Sequence, residues 1–205
     1  MVLLADLFRI RHLFLRLDPV NACNLACAMC YYSDKEYAKR IRGRFNDEDL
    51  DRIGALFFSN ALQLVIGCGS EPTLYKGYPE IVRSAKESGV PFVGLTTNGL
   101  LLKRSDLRHL INYGLDEITL SVHGVTESTY HSMMVGGSYS VFHEALAMLE
   151  EEKSVCQSRK PDLRINYTVN EENLDELRDF FSVFGIYSIS TLQIRPMVDV
   201  GHASY

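Results

Sequence analysis

Cysteine is scarce in this chain and unevenly placed: five residues among 205. An odd total, with three crowded together, does not describe the paired and spread cysteines of a disulfide-framed secreted domain. Long apolar runs are missing too. The opening stretch MVLLADLFRIRHLFLRLD is interrupted by Asp6, Arg9, Arg11 and Arg16. No charge-free run therefore reaches the ~18 residues of a membrane span, and no small-residue cleavage site follows. An excess of positive charge is absent. The net charge of −5 gives no electrostatic reason to expect nucleic acid or a membrane as partner. Low-complexity tracts and visible sequence repeats are also lacking. Together these absences lead to the expectation of a cytoplasmic protein in a reducing compartment. What is present, 46% hydrophobic and 23% charged residues, suits one soluble domain, residues 1–205, with a substantial core.

Apolar stretches of strand length alternate with amphipathic stretches of helix length. Strands are expected at 12–18, 62–67, 91–99, 116–124, 163–170 and 188–196. Helices are expected at 46–60, 78–89, 104–114 and 172–185, with a long, partly helical region at 126–153. In the first helix Leu50, Ile53, Leu56 and Phe57 recur at helical spacing behind an acidic first turn and Asn46 as N-cap. Such alternation implies parallel strands joined by right-handed crossovers. In 163–170 Leu163, Ile165, Tyr167 and Val169 alternate with the polar Arg164, Asn166, Thr168 and Asn170. In 117–123 Thr119, Ser121 and His123 alternate with Ile118, Leu120 and Val122. A parallel sheet covered on both faces should read apolar throughout. One polar face suits an α/β barrel over about 12–196, with helices outside and a wet interior. An edge-exposed doubly wound sheet is the alternative.

The stretch DPVNACNLACAMCYYSD (18–34) holds the crowded cysteines as Cys23-x3-Cys27-x2-Cys30. Chance would place that spacing in about a few chains per thousand of this composition. A structural zinc takes four ligands, usually as two separated pairs. Here there is one triplet and no obvious fourth ligand beside it. A [4Fe–4S] cluster usually takes four cysteines. Three from one loop leave one iron without a protein ligand, the open position that a catalytic metal centre requires.

CNLACAMC resembles the C-x3-C-x-Φ-C cluster loop of the radical S-adenosylmethionine enzymes, and it follows the first strand as theirs does. The resemblance implies an incomplete (β/α)6 TIM-like barrel with Cys23, Cys27 and Cys30 on a [4Fe–4S] cluster. The unligated iron of that cluster chelates S-adenosylmethionine. Reductive cleavage then yields a 5′-deoxyadenosyl radical that abstracts hydrogen from a substrate. Met29 stands where relatives often have an aromatic against the adenine; Tyr31 is the nearest aromatic. GCGSEPTLY (67–75) resembles the family's G-G-E-P motif with Ser70 for its second glycine, which places Gly69, Ser70 and Glu71 near the cofactor's amino group. Gly67 and Gly69 would let backbone come close. LTTNG (95–99) and ITLSVHG (118–124) resemble the third and fourth strand ends, bringing Asn98, Ser121 and His123 to the cofactor. His123 could instead serve the substrate. Asn166, on the polar face of the fifth strand, is the implied ribose or adenine contact. These residues cluster at strand C-terminal ends, where barrels carry their chemistry.

Relatives often carry an arginine where Met134 or Val135 stands, so a cationic contact to the cofactor is missing here or comes from elsewhere. Arg164 and Arg195 could bind an anionic group of a substrate, and each could equally be an interior salt-bridge partner. That substrate, a peptide, a protein or a small molecule, is unknown, and an electron donor such as a flavodoxin or ferredoxin is implied. The nearest subgroup in character is the SPASM type, whose auxiliary-cluster domain this sequence lacks. Cys68 and Cys156 read as small buried hydrophobes. Two other readings remain open. One is a zinc-stabilised binding module using the three cysteines and His123. The other is a degenerate or truncated barrel without turnover, since only MVDVGHASY follows the sixth strand and leaves it without a covering helix.

Overall fold

The structure, a computed structural model, describes residues 10–198 and residue 203. The first nine residues and most of the tail after Val198 lie outside the described residues. Among the described residues there are eight strands: β1 (Leu13–Leu17), β2 (Val20–Asn21), β3 (Gly43–Arg44), β4 (Ala61–Ile66), β5 (Phe92–Thr97), β6 (Glu117–Ser121), β7 (Asp162–Val169) and β8 (Ile189–Pro196). Six form one sheet in the order β1-β4-β5-β6-β7-β8, every pair parallel. β2 and β3 form a separate antiparallel pair. The helices are α1 (Lys35–Ile41), α2 (Asp47–Phe57), α3 (Tyr78–Glu87), α4 (Arg104–Asn112), α5 (Glu127–Met133), α6 (Tyr139–Val155) and α7 (Phe180–Phe184).

The strand order explains the one-sided polarity. Each crossover is right-handed in such sheets, and each moves one strand further along. Helices then all fall on one face, and the sheet curls away from them. Leu64, Ile66, Val93, Leu95, Ile118, Leu120, Leu163 and Ile165 point to the helices and are sealed from solvent. Their neighbours Thr96, Ser121, Asn166 and Thr168 point to the other side and are only partly buried. This is the partial barrel expected from the alternation, not a sheet covered on both faces.

Three departures have physical causes. The region 126–153 is broken into α5 and α6 by Gly136, whose φ of +89° continues neither a helix nor a strand. The expected helix 172–185 is a 3-10 turn (Asp175–Asp179) followed by the short α7. Its start is pulled down by Asn173, fully buried, whose amide donates to the carbonyls of His123 and Thr168, each at 2.9 Å. Helix α1 arises inside what reads as a loop, because Asp34 caps it by accepting from Glu36 N and Tyr37 N, both at 3.0 Å.

Among the described residues no helix follows β8, where Ile194 is half exposed while Ile189 and Leu192 pack against the core. Nor, among them, is any helix long and apolar enough to cross a membrane.

Leu120→Ala, at the centre of the sheet and sealed beneath the helices, should cost about 2–5 kcal/mol in urea denaturation. Ile186→Ala, at 80% exposure, should change it by less than about 0.5 kcal/mol.

Candidate active site

The cysteine loop is an excursion closed at its base by the β2–β3 pair. Cys30 N donates to the Cys27 carbonyl at 2.9 Å, which curls the loop. Its far side is strapped to the segment after α5: Ala26 N donates to the Val135 carbonyl and Ala28 N to that of Met133, both at 2.9 Å. That strap is itself anchored. Glu176 accepts from Val125 N at 2.7 Å, Thr126 Oγ1 at 2.8 Å and Thr129 Oγ1 at 2.6 Å, which pins the start of α5. All three thiols are partly buried. Burial pushes the Cys23 thiol up to about 11 and raises Cys27 and Cys30 as well, with mutual repulsion of the would-be thiolates adding to the shift at Cys23 and Cys27. The free thiols hold their protons at neutral pH, and any metal group bound there displaces them.

Opposite lies the turn after β4. Gly67 has a φ of +82°, and a Cβ there would fall 2.2 Å from the Thr96 carbonyl, so only glycine fits. The next three residues wrap around one carboxylate. Asp18 accepts from Cys68 N at 2.8 Å, Gly69 N at 3.2 Å, Ser70 N at 3.3 Å and Ser70 Oγ at 2.9 Å. The Tyr31 hydroxyl donates to the Gly69 carbonyl, joining this turn to the cysteine loop. Glu71 is buried and turned inward. Its carboxylate accepts from Thr73 N at 3.1 Å, Thr73 Oγ1 at 2.5 Å, Thr97 Oγ1 at 2.6 Å and Asn98 N at 2.8 Å. Burial raises its pKa against these donors. Asn98 in turn donates to the Asn24 side chain at 2.8 Å, so β5 also touches the cysteine loop.

The third wall comes from β6 and β7. His123 is buried, and its Nδ1 accepts from Thr168 N at 2.9 Å. That bond requires a bare Nδ1, so the neutral ring carries its proton on Nε2 as a donor. Burial lowers its pKa to about 4. Ser121 and Asn166 are register partners on adjacent strands. The Asn166 Oδ1 is buried and has no hydrogen-bond partner.

A cavity of about 290 Å³ lies between these walls. Cys23, Cys27, Met29, Cys30, Gly69, Ser70, Glu71, Asn98, Ser121 and His123 all line it, so the structure brings ten of the eleven sequence-derived candidates together. Asn166 lies one strand beyond Ser121 and is not in the lining. Met134 lines the cavity, whereas Val135 is exposed.

Other expectations need correction. Arg164, two residues before Asn166 on β7, is held bidentately by Glu117, both bonds at 2.9 Å, and so is the salt-bridge partner rather than the anion contact. Arg195 is exposed and donates to Gln193 at 2.9 Å. Cys68 is exposed and Cys156 only half-buried, because each sits in a turn at a strand or helix end rather than in the core. Asp18, Asn24 and Thr97 were not singled out in the sequence. Asp18 had one visible signal, a carboxylate ending the strand just before the cysteines.

The unfolded His123 titrates near 6.5 and the folded one near 4. Between those values the unfolded chain binds more protons, so stability falls as pH drops from 6.5 to 4, by up to roughly 3 kcal/mol. Denaturation at pH 7 and pH 4.5 should show that loss, and His123→Gln should abolish this part of the slope.

Comparison with known proteins places this geometry. The chain is 28% identical over 187 residues to a protein named "Probable GTP 3',8-cyclase" from Saccharolobus solfataricus, covering 89% of this chain and 57% of that one. A protein of the same name from Sulfolobus acidocaldarius is 28% identical over 186 residues, with 89% and 56% covered. The chain thus spans somewhat over half the length of the curated relatives it matches. Among solved structures, Streptococcus suis SuiB bound to S-adenosylmethionine superposes with a TM-score of 0.71 at 22% identity, covering 99% of this chain and 45% of that one. Methylornithine synthase (PylB) gives 0.69 at 15% identity, covering 95% and 56%. These two likenesses establish the fold. The Radical SAM superfamily profile matches residues 17–182, and the chain belongs to that superfamily, whose members use a [4Fe–4S] cluster and S-adenosylmethionine.

Proposed function

We propose that this chain is the core of a radical S-adenosylmethionine enzyme, with the cluster on Cys23, Cys27 and Cys30 and the cofactor in the cavity beside them. The observation that carries this reading is the meeting of three thiols and three strand ends, those of β4, β5 and β6, around one cavity. Soft thiolate donors suit iron–sulfur or zinc. A single zinc needs its donors to converge about 2.3 Å from one point. Among the described residues no three His, Cys, Asp or Glu side chains are gathered as a site for a single metal ion. Three thiols that each take a different iron have no need to converge, and His123 is already committed to Thr168 N.

The remaining walls fit the second cofactor. The Asn166 Oδ1, one strand beyond the cavity lining, lacks a donor, which a ribose hydroxyl or an adenine amino group reaching past Ser121 supplies. His123 offers an Nε2 proton at neutral pH. Ser70 and Ser121 add hydroxyls to the lining. Glu71 acts through the loop, because its carboxylate is spent on Thr73, Thr97 and Asn98. When bound, the cluster and cofactor supply one-electron chemistry that ends in hydrogen abstraction. The chain's own part is to hold them, exclude water, and present the polar inner face of the sheet to the substrate. That substrate is a peptide or a small molecule; one structural neighbour is solved with its precursor peptide. A reducing, cytoplasmic setting suits the free thiols.

Anaerobic reconstitution should give about four irons per chain. Alanine at Cys23, Cys27 or Cys30 should abolish the cluster's visible absorption, while Cys68→Ala and Cys156→Ala should keep it. Loss of the cluster in Cys68→Ala would overturn the ligand assignment.

Asn166→Leu tests the cofactor site separately. It should weaken S-adenosylmethionine binding about tenfold by calorimetry. It should leave the folding stability of the cluster-free chain equal or higher, since an unpaired buried acceptor is removed. Undiminished binding would take Asn166 out of the site.

A further inference from the structure

The ten residues 35–44, KEYAKRIRGR, carry Lys35, Lys39, Arg40, Arg42 and Arg44 against a single acid, Glu36. The segment is therefore +4 in a chain of net −5, and the rest of the chain is −9. All five cations are exposed. Among the described residues only Lys39 of the five forms an ion pair, with Glu36 at 2.7 Å. Stability accounts for little of this: no side chain of α1 is fully buried, and its contacts run through the partly buried Tyr37, Ala38 and Ile41.

The position of the strip points to its use. It starts five residues after Cys30, in the same excursion between β2 and β3 that carries the cysteines. The Arg40 guanidinium lies 5.1 Å from the Tyr37 ring centre. Tyr37 packs edge-on against Tyr31 at 5.8 Å, and Tyr31 lines the cavity with the three cysteines. Two ring contacts thus lead from the basic surface to the cavity wall. Acids bound the strip on one side, where Asp47, Glu48 and Asp49 open α2. An extended polyanion would run into those acids, whereas a compact acidic face would fit the strip alone.

We propose that the exposed face of α1 and β3 docks an acidic one-electron carrier protein, a low-potential flavoprotein or iron–sulfur protein, that reduces the cluster held by the neighbouring cysteines. This rests on the cluster assignment above. Enzymes of this superfamily need a reductant. The carrier gives up one electron and the cluster takes it up; the strip forms no bond and supplies only orientation and encounter rate.

The test compares two double charge reversals on the reconstituted protein. Arg40→Glu/Arg42→Glu alters the strip. Lys153→Glu/Arg159→Glu makes the same change in net charge at the opposite end of the sheet. Iron content and reduction by dithionite, which needs no docking, should be unchanged in both; loss of either in all samples would indict the cluster assignment instead. With a reduced, acidic flavodoxin as probe, stopped-flow absorbance should show cluster reduction slowed on the order of tenfold at low salt in the strip variant only. That difference should shrink at high salt. Equal rates in both variants and wild type, or binding of a single-stranded oligonucleotide that the strip variant loses while flavodoxin reduction is untouched, would overturn the proposal.

Discussion

Two carboxylates, Asp18 and Glu71, hold the mouth of this sheet together without a counter-cation among the described residues. Asp18 gathers three successive backbone N–H groups and a hydroxyl from residues 68–70. Glu71 gathers the ends of two connections, at Thr73 and at Thr97–Asn98. Turns that leave a parallel sheet expose amides that the ladder no longer uses, and a buried amide without an acceptor is costly. An acid in each place answers several such amides at once, so neighbouring strand ends take fixed positions around one cavity. Glu71 N also donates to the Ala22 carbonyl at 2.9 Å, which carries that order into the cysteine loop.

The loop receives a second support from the far side of the sheet. Glu176, beyond the fifth strand of the main sheet, caps α5, and the residues after α5 accept two amides of the cysteine loop. A segment with three cysteines and few apolar anchors cannot bury enough surface to order itself. Its shape is therefore borrowed from two neighbours that are themselves pinned by acids. Among the described residues of the loop, Leu25 and Tyr32 are the deeply buried side chains, and Leu25 packs into the core.

Charge is used for different ends on the two sides of that loop. Inside, carboxylates meet amides and hydroxyls, and the thiols keep their protons until a metal group replaces them. Outside, on a short helix and the strand after it, four of five exposed cations form no ion pair among the described residues. Buried acids with satisfied acceptor sites stabilise a shape, whereas exposed like charges stabilise little and serve encounter.

The periodicity of the apolar residues determined the element order and the polar inner face, because a parallel strand with helices on one side must alternate. Spacing alone singled out Cys23, Cys27 and Cys30, since such crowding has few chemical uses. Local signals also marked Asn46 as a helix cap and Gly67 as a turn. The charge run 35–44 was readable as composition, but not as a neighbour of the cavity. Tertiary structure decided the rest: that Asp18 reaches residues fifty places away, that Glu71 turns inward, that Arg164 is consumed by Glu117, that the Asn166 Oδ1 is left without a donor, and that Asn173 breaks the expected final helix. Each of these depends on which groups meet across strands far apart in the chain. Pairing of polar groups is a contact property, and no periodicity along the chain encodes it.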